Sequence, residues 1–274
     1  MAISFVKMHG LGNDFVVLDG RGQSLPPIDR ALASAIANRH TGIGCDQLIV
    51  LEPSAGADLR MRIFNPDGGE VEACGNATRA VGLLLGQAAS IETLGGRLSV
   101  SPAAAGIAAA MGRPRFGWQA IPLAYAMDTL AMPVSWEHEG TTLESPVAVN
   151  VGNPHVIFFV ADADAVPLAA MGPVIELDPL FPERVNVNVA SVLSRRHIRL
   201  RVWERGAGLT RACGTGACAT AIAAMRRGLV EREVTVSLPG GDLVIGWGAD
   251  DGITMTGPAS EAFRGQFDPA ALTA

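Results

Sequence analysis

Apolar residues gather in short runs separated by glycine and polar turns. FVVLD at 15–19, LIVL at 48–51 and MRIF at 61–64 lie in the first half of the chain, and HVIFFV at 155–160, VNVNVASV at 185–192 and IRLRVW at 198–203 in the second. Short runs rich in Val, Ile and Phe read as strands. Two stretches differ. ATRAVGLLLGQA at 77–88 and GACATAIAAMRRGL at 216–229 are long enough for helices. Apolar or small residues cover most of their circumference, so both are expected to be buried, with Ala and Gly letting strands pack closely around them. Gly228 suits the end of the second helix, where Arg226 and Arg227 oppose its dipole favourably. The region 101–145, rich in Ala, Gly and Pro, is expected to contain the crossover between the halves.

The pattern repeats. NPDGGEVEACGNATRA around Cys74 aligns without gaps on ERGAGLTRACGTGACA around Cys213, at an offset of 139 residues. Asn65 falls on Glu204, Gly69 on Gly208, and Ala73-Cys74-Gly75 on Ala212-Cys213-Gly214. The same offset puts Gln47 on Asn186, and an offset of 140 puts Asn13 on Asn153. Several matches in order at nearly one spacing predict two related halves.

Composition narrows the function. The chain has 274 residues and 28.4 kDa, enough for two domains of ordinary size. Hydrophobic residues make up 49% and charged residues 18%, which excludes a disordered chain. A net charge of −6 gives no support to nucleic-acid binding. Lys7 is the one lysine against twenty arginines, so lysine Schiff-base chemistry, including that of pyridoxal phosphate, has at most this one residue to use. MAISFVKMHG lacks the pattern of a secretory signal, and no apolar run approaches a membrane span. We expect a soluble cytoplasmic protein with reduced thiols. No C-x-x-C pair exists, and no metal site is expected.

Cys74 and Cys213 each precede a predicted helix. A helix start presents unpaired N–H groups and partial positive charge, which favour a thiolate. Gly75-Asn76 and Gly214-Thr215 offer backbone amides to a carboxylate. A cysteine taken alone is usually a packed apolar residue. Two at matching repeat positions are better explained by function. Cys45, whose offset partner is Arg184, and Cys218, inside the second helix, read as packed thiols. Two equivalent thiols suit inversion of a stereocentre, where one group removes a proton from one face of a carbon and the other delivers a proton to the opposite face.

MHGLGNDFVVLD, GIGCDQ, FNPDGGEVEACGNATR, VGNPHVIFF, FPERVNVNVASV and WERGAGLTRACGTGACA, in this order, make the chain resemble diaminopimelate epimerases, which work without pyridoxal phosphate. The resemblance covers nearly the whole chain and is weakest over about 101–145. It implies interconversion of LL- and meso-diaminopimelate in the route to lysine and peptidoglycan precursors, with no cofactor or metal. It implies an α+β fold of two pseudo-symmetric half-domains, each a curled, mainly antiparallel sheet around a central helix, with the active site between them. The expected halves are 1–117, completed by 263–274, and 118–262. Matching ACGN and ACGTGA, Cys74 would be the proton donor in the LL-to-meso direction and Cys213 the acceptor. Substrate contacts carry over to Asn13, Gln47, Asn65, Gly75, Asn76, Asn153, Asn186, Glu204, Arg205, Gly214 and Thr215. His155 and Glu204 match positions that tune the thiols. The family is commonly homodimeric.

The residue types fit part of this without the resemblance. A substrate zwitterionic at both ends needs donors for carboxylate and acceptors for ammonium. Arg205 offers a planar fork, Glu204 an acceptor, and the asparagines both. Asn65, before Pro66-Asp67-Gly68, also suits a turn, His155 taken alone reads as a core or loop residue, and His9 carries no role. Other readings are a proline racemase or hydroxyproline epimerase, whose substrates lack a second amino-acid end, and a thiol redox or amino-acid-binding protein, which would exchange no α-proton. A phenazine-biosynthesis-type relative with an acidic catalytic residue is disfavoured by the two thiols.

Overall fold

The apolar runs fold as strands. A computed structural model of the chain describes residues 2–72 and 74–272, which form two compact units, Met1–Ala109 with Gly257–Ala274, and Ala110–Thr256.

In the first unit, β1 (Ile3–Gly10) and β2 (Asn13–Asp19) form a hairpin. Its two-residue turn, Leu11-Gly12, has φ of 58° and 92°, the left-handed pair that matches strand twist. Helix α1 (Arg30–Ala37), capped by Asp29 through a 2.9 Å bond from Leu32 N–H, leads to β3 (Gln47–Glu52), which runs parallel to β2. β4 (Leu59–Phe64) pairs antiparallel with β3 and with the short β5 (Glu70–Val71). Helix α2 (Gly75–Leu85) then crosses to β6 (Ala89–Thr93), parallel to β4, and β7 (Gly96–Ala103) and β8 (Gly106–Ala110) follow as antiparallel neighbours. The strand Ser260–Phe267 pairs antiparallel with β1. α2 packs against β1, β7 and this strand, so the sheet curls around it. Gly82 allows the close pass, because a Cβ there would lie 2.6 Å from Ile107.

The second unit opens with a separate hairpin, β9 (Ser135–His138) and β10 (Thr141–Glu144). Its main sheet repeats the first unit strand by strand. β11 (Val147–Asn150) pairs antiparallel with β12 (Pro154–Phe159), helix α3 (Leu168–Glu176) leads to the parallel β13 (Asn186–Ser194), and β14 (His197–Glu204) pairs antiparallel with β13 and with β15 (Gly208–Thr210). After helix α4 (Gly214–Arg226), β16 (Glu233–Leu238) runs parallel to β14, and β17 (Gly241–Trp247) and β18 (Ile253–Gly257) complete the meander. α4 touches β11, β12, β13, β14, β16 and β17, and ten of its residues are buried. This explains its small-residue composition: a helix enclosed by strands has no room for large side chains.

Both helices start two residues earlier than the apolar pattern suggests, because the preceding cysteine is the cap and glycine follows it. α2 stops at Leu85, where Gly86 takes φ 68°, and it turns Leu83 outward, so it is less buried than expected. α4 stops at Arg226, and Gly228 (φ 69°) donates to Met225 O while Leu229 donates to Ala224 O, a Schellman ending. The Arg227 guanidinium is used elsewhere, bonding the carbonyls of Leu130 and Ser145. Among the described residues no helix is long and apolar enough to cross a membrane.

Candidate functional site

In each unit a cysteine caps the central helix with its own sulfur. Cys74 has extended backbone (φ −147°), and its Sγ accepts from Ala77 N–H at 3.5 Å. Cys213 (φ −125°) accepts from Gly216 N–H at 3.3 Å. The bonds fall at the same repeat position, so backbone places each sulfur over the first turn, where the helix dipole favours negative charge.

Around Cys74 the first unit assembles amides. Asn13, the first residue of β2, turns its Oδ1 to the Cys74 thiol at 3.8 Å and accepts from Asn76 Nδ2 at 3.1 Å. Asn76 Oδ1 accepts in turn from the fully buried Arg79 guanidinium at 3.0 Å. Asn13 Nδ2 donates to Asp46 at 3.1 Å. Asp46 and Asp14 both pair with Arg39, and Asp14 also pairs with Lys7. Burial opposes ionisation of Asp14, but hydrogen bonds from Arg39 and Lys7 win and hold its carboxyl far below the usual range. The single lysine is thus engaged in an ion pair and in a bond to Gly44 O. Gln47 and Asn65 meet each other, Nε2 donating to Oδ1 at 3.3 Å, and Asn65 also closes the turn to Gly68 and Gly69 through its backbone. Gly75 is the first residue of α2.

Around Cys213 the second unit assembles a different set. Thr215 Oγ1 lies 3.5 Å from the sulfur, and Gly214 opens α4. Glu204, the last residue of β14, accepts from Thr210 at 2.5 Å. Burial raises the Glu204 carboxyl pKa, while hydrogen bonds from Thr210 and Cys213 pull it back. Burial, then the negative charge of Glu204, push the Cys213 thiol well above its ordinary value, against the hydrogen bonds of Thr215 and Gly216 N–H. Desolvation therefore outweighs the hydrogen bonds at the helix start. Asn186 is buried with both polar atoms on backbone: Nδ2 donates to Pro154 O at 2.8 Å, and Oδ1 accepts from Arg205 N–H at 3.0 Å. Arg205 spends Nη1 on Glu183 O at 2.9 Å and keeps the rest of its fork exposed. His155 is wholly buried, and its ring nitrogens meet Asn153 and Asn188. Burial lowers its pKa to about 3, so the ring is neutral.

The pattern of diaminopimelate epimerases matches residues 5–117 and 147–261. The chain belongs to the diaminopimelate epimerase family. A diaminopimelate epimerase of Erythrobacter litoralis is 68% identical over 268 residues, covering 98% of each chain. One of Rhizorhabdus wittichii is 61% identical, covering 100% of this chain and 98% of its own. Among solved structures, a phenazine biosynthesis protein of the PhzF family from Enterococcus faecalis has the same fold, with a TM-score of 0.71 at 16% identity, covering 98% of this chain and 100% of that one. Membership makes the chain an isomerase, and the α+β fold read from the sequence is the fold of the family's structural neighbours.

Three residues of these clusters escape the sequence reading. Arg79 is an arginine inside an apolar helix, a type rarely buried unless paired. Asp46 adjoins Gln47 but has no apolar or repeat signal. Asn188 follows Asn186 by the strand period of two and is fully buried on the same face of β13. That alternation, polar at 186 and 188 inside a buried strand, was the available signal.

Proposed function

We propose that the chain interconverts LL- and meso-diaminopimelate without a cofactor, by a two-base mechanism. The Cys213 thiolate removes the α-proton of the LL isomer and becomes a thiol. The Cys74 thiol delivers its proton to the opposite face of the carbanion and becomes the thiolate. The reverse reaction exchanges the roles. The observation that carries this reading is the pair of cysteines at equivalent helix caps, each sulfur held by an N–H of the first turn.

The surrounding groups suit a substrate with charge at both ends. The open part of the Arg205 fork pairs a carboxylate, and Glu204 accepts from an ammonium. Asn13, Gln47, Asn65, Asn76 and Asn153 supply neutral donors and acceptors, while the amides of Gly75 and Gly214, with Thr215, lie at helix starts. Asn186 acts through Arg205, whose backbone N–H it holds. The raised Cys213 pKa is consistent with a base that must be strong: a desolvated thiolate is more basic than one in water. The reaction belongs to the supply of lysine and peptidoglycan precursors. Its thiols must stay reduced, which supports a cytoplasmic setting, and the family resemblance supports a homodimer.

The test follows the first turnovers of LL-diaminopimelate in deuterated water. Two separate thiols put deuterium into the meso product and little into recovered substrate. Equal labelling of both overturns the two-base scheme, and absence of turnover overturns the substrate.

A further inference from the structure

We infer that Asn188 is a positioning residue: it fixes the tautomer of His155, and through it turns Asn153 into a hydrogen-bond donor for an anionic oxygen of the substrate. The inference rests on the reading above only in giving Asn153 a substrate to touch.

The argument starts from backbone. Asn188 is completely buried, and its Nδ2 lies 3.1 Å from Val156 O and 3.3 Å from Asn186 O. Carbonyl oxygens only accept, so these two neighbours settle which end of the amide is nitrogen. The same Nδ2 lies 3.1 Å from His155 Nδ1, which must therefore accept. A neutral imidazole carries one N–H, so the proton is on Nε2. That Nε2–H lies 2.9 Å from Asn153 Oδ1 and donates to it. Were the Asn153 amide reversed, two donors would face the buried N–H. Asn153 is thus held with Oδ1 toward the ring and its two N–H donors pointing away from it, from a half-buried residue just before β12. Both ring nitrogens are consumed, so His155 takes no part in proton transfer to substrate. Asn188 Oδ1, left without a partner, faces the first turn of α4, where a Cβ on Gly216 would lie 2.8 Å away.

The test uses protein labelled with ¹⁵N at its five histidines, with the His155 ring identified by its loss in His155→Gln. Long-range proton–nitrogen correlation should show His155 neutral with its proton on Nε2, unchanged from pH 6 to 9. A proton on Nδ1, an average of both tautomers, or a titrating ring overturns the inference in the wild type itself. Asn188→Leu removes the donor and should give a mixture of tautomers, with KM for diaminopimelate raised about tenfold and kcat within about threefold, as for loss of one hydrogen bond to a charged group. Asn188→Asp should draw the proton to Nδ1. An unchanged tautomer in either folded variant, or a fall in kcat at constant KM, overturns it. If wild-type enzyme does not turn over diaminopimelate, the proposed substrate fails, and the tautomer still tests the relay.

Discussion

The neutral, buried His155 gives stability a pH dependence that one substitution should remove. An exposed histidine in the unfolded chain has a pKa near 6.5, and burial lowers it to about 3 in the fold. Above pH 6.5 neither state holds the proton, and His155 contributes no slope. Below 6.5 the unfolded chain binds a proton that the folded chain refuses, so stability falls as the pH falls, until the folded ring also titrates near pH 3. Each pH unit inside this window costs about 1.4 kcal/mol. At pH 5 the protein should therefore have lost roughly 2 kcal/mol relative to pH 7.5 through this residue alone. His155→Gln keeps polar contacts to Asn153 and Asn188 but cannot titrate. All four tryptophans, Trp118, Trp136, Trp203 and Trp247, lie in the same unit as His155, so urea unfolding followed by tryptophan fluorescence reports on that unit. Carboxylates that titrate in the window are common to both proteins and cancel in the difference. The wild type should lose roughly 2 kcal/mol more than the variant between pH 7.5 and 5. Equal losses would show that the ring is protonated in the fold, and the reasoning from burial would be refuted.

Other perturbations probe the clusters directly. Cys74→Ser and Cys213→Ser should each nearly abolish epimerisation, while Cys45→Ser keeps it, since burial pushes the Cys45 thiol to about 11 and it caps no helix; coupled turnover of LL-diaminopimelate separates them. Gly216→Ala places a Cβ 2.8 Å from Asn188 Oδ1 and 3.2 Å from Cys213 Sγ, so kcat should drop on the order of a hundredfold even though alanine favours a helix; retention of activity would show that the turn tolerates the displacement. Glu204→Gln removes the charge that helps hold the Cys213 thiol protonated, so iodoacetamide at pH 8 should modify Cys213 faster, as read by peptide mass spectrometry; an equal or slower rate contradicts the assignment. Lys7→Met removes one of the two cations on Asp14 and leaves Arg39 in place, so it should cost only about 1 kcal/mol by circular dichroism in urea, while borohydride with substrate should leave the wild type active.

The fold was legible where burial imposes a period. Runs such as FVVL at 15–18 are wholly buried, and a short run with two valines suits a central strand better than a helix. The repeat was legible because both halves bury a helix in the same way. Elements stabilised by few residues left little trace. α3 contains Pro173 and has no side-chain cap, so neither its rhythm nor its start is visible in the sequence. β9 and β10 form a small hairpin with partly exposed positions inside a stretch whose composition reads as a connection. Helix boundaries were missed by two or three residues because the apolar pattern does not register caps. At each start the cysteine sulfur is the cap, and at each end a left-handed glycine is the stop.

The site was legible only as far as the two halves agree. The offset of 139 pairs Cys74 with Cys213, and the structure gives both sulfurs the same N–H, from Ala77 and from Gly216. It also pairs Asn188 with Ile49 and Arg79 with Cys218, so a search for matching chemistry passes over both. These mismatches are where the halves differ in function. In the first unit, position 77 keeps its Cβ, and the polar support of Asn76 comes from within α2, from Arg79. In the second, the place of Ile49 is taken by an amide whose oxygen fills the space a Cβ at 216 would need, so glycine is forced there. One backbone device therefore holds two sulfurs, while side chains unique to each half give them different surroundings: amides around Cys74, and a half-buried carboxylate beside Cys213. A two-base mechanism requires such a difference at any instant, because one thiol must be charged while the other is not.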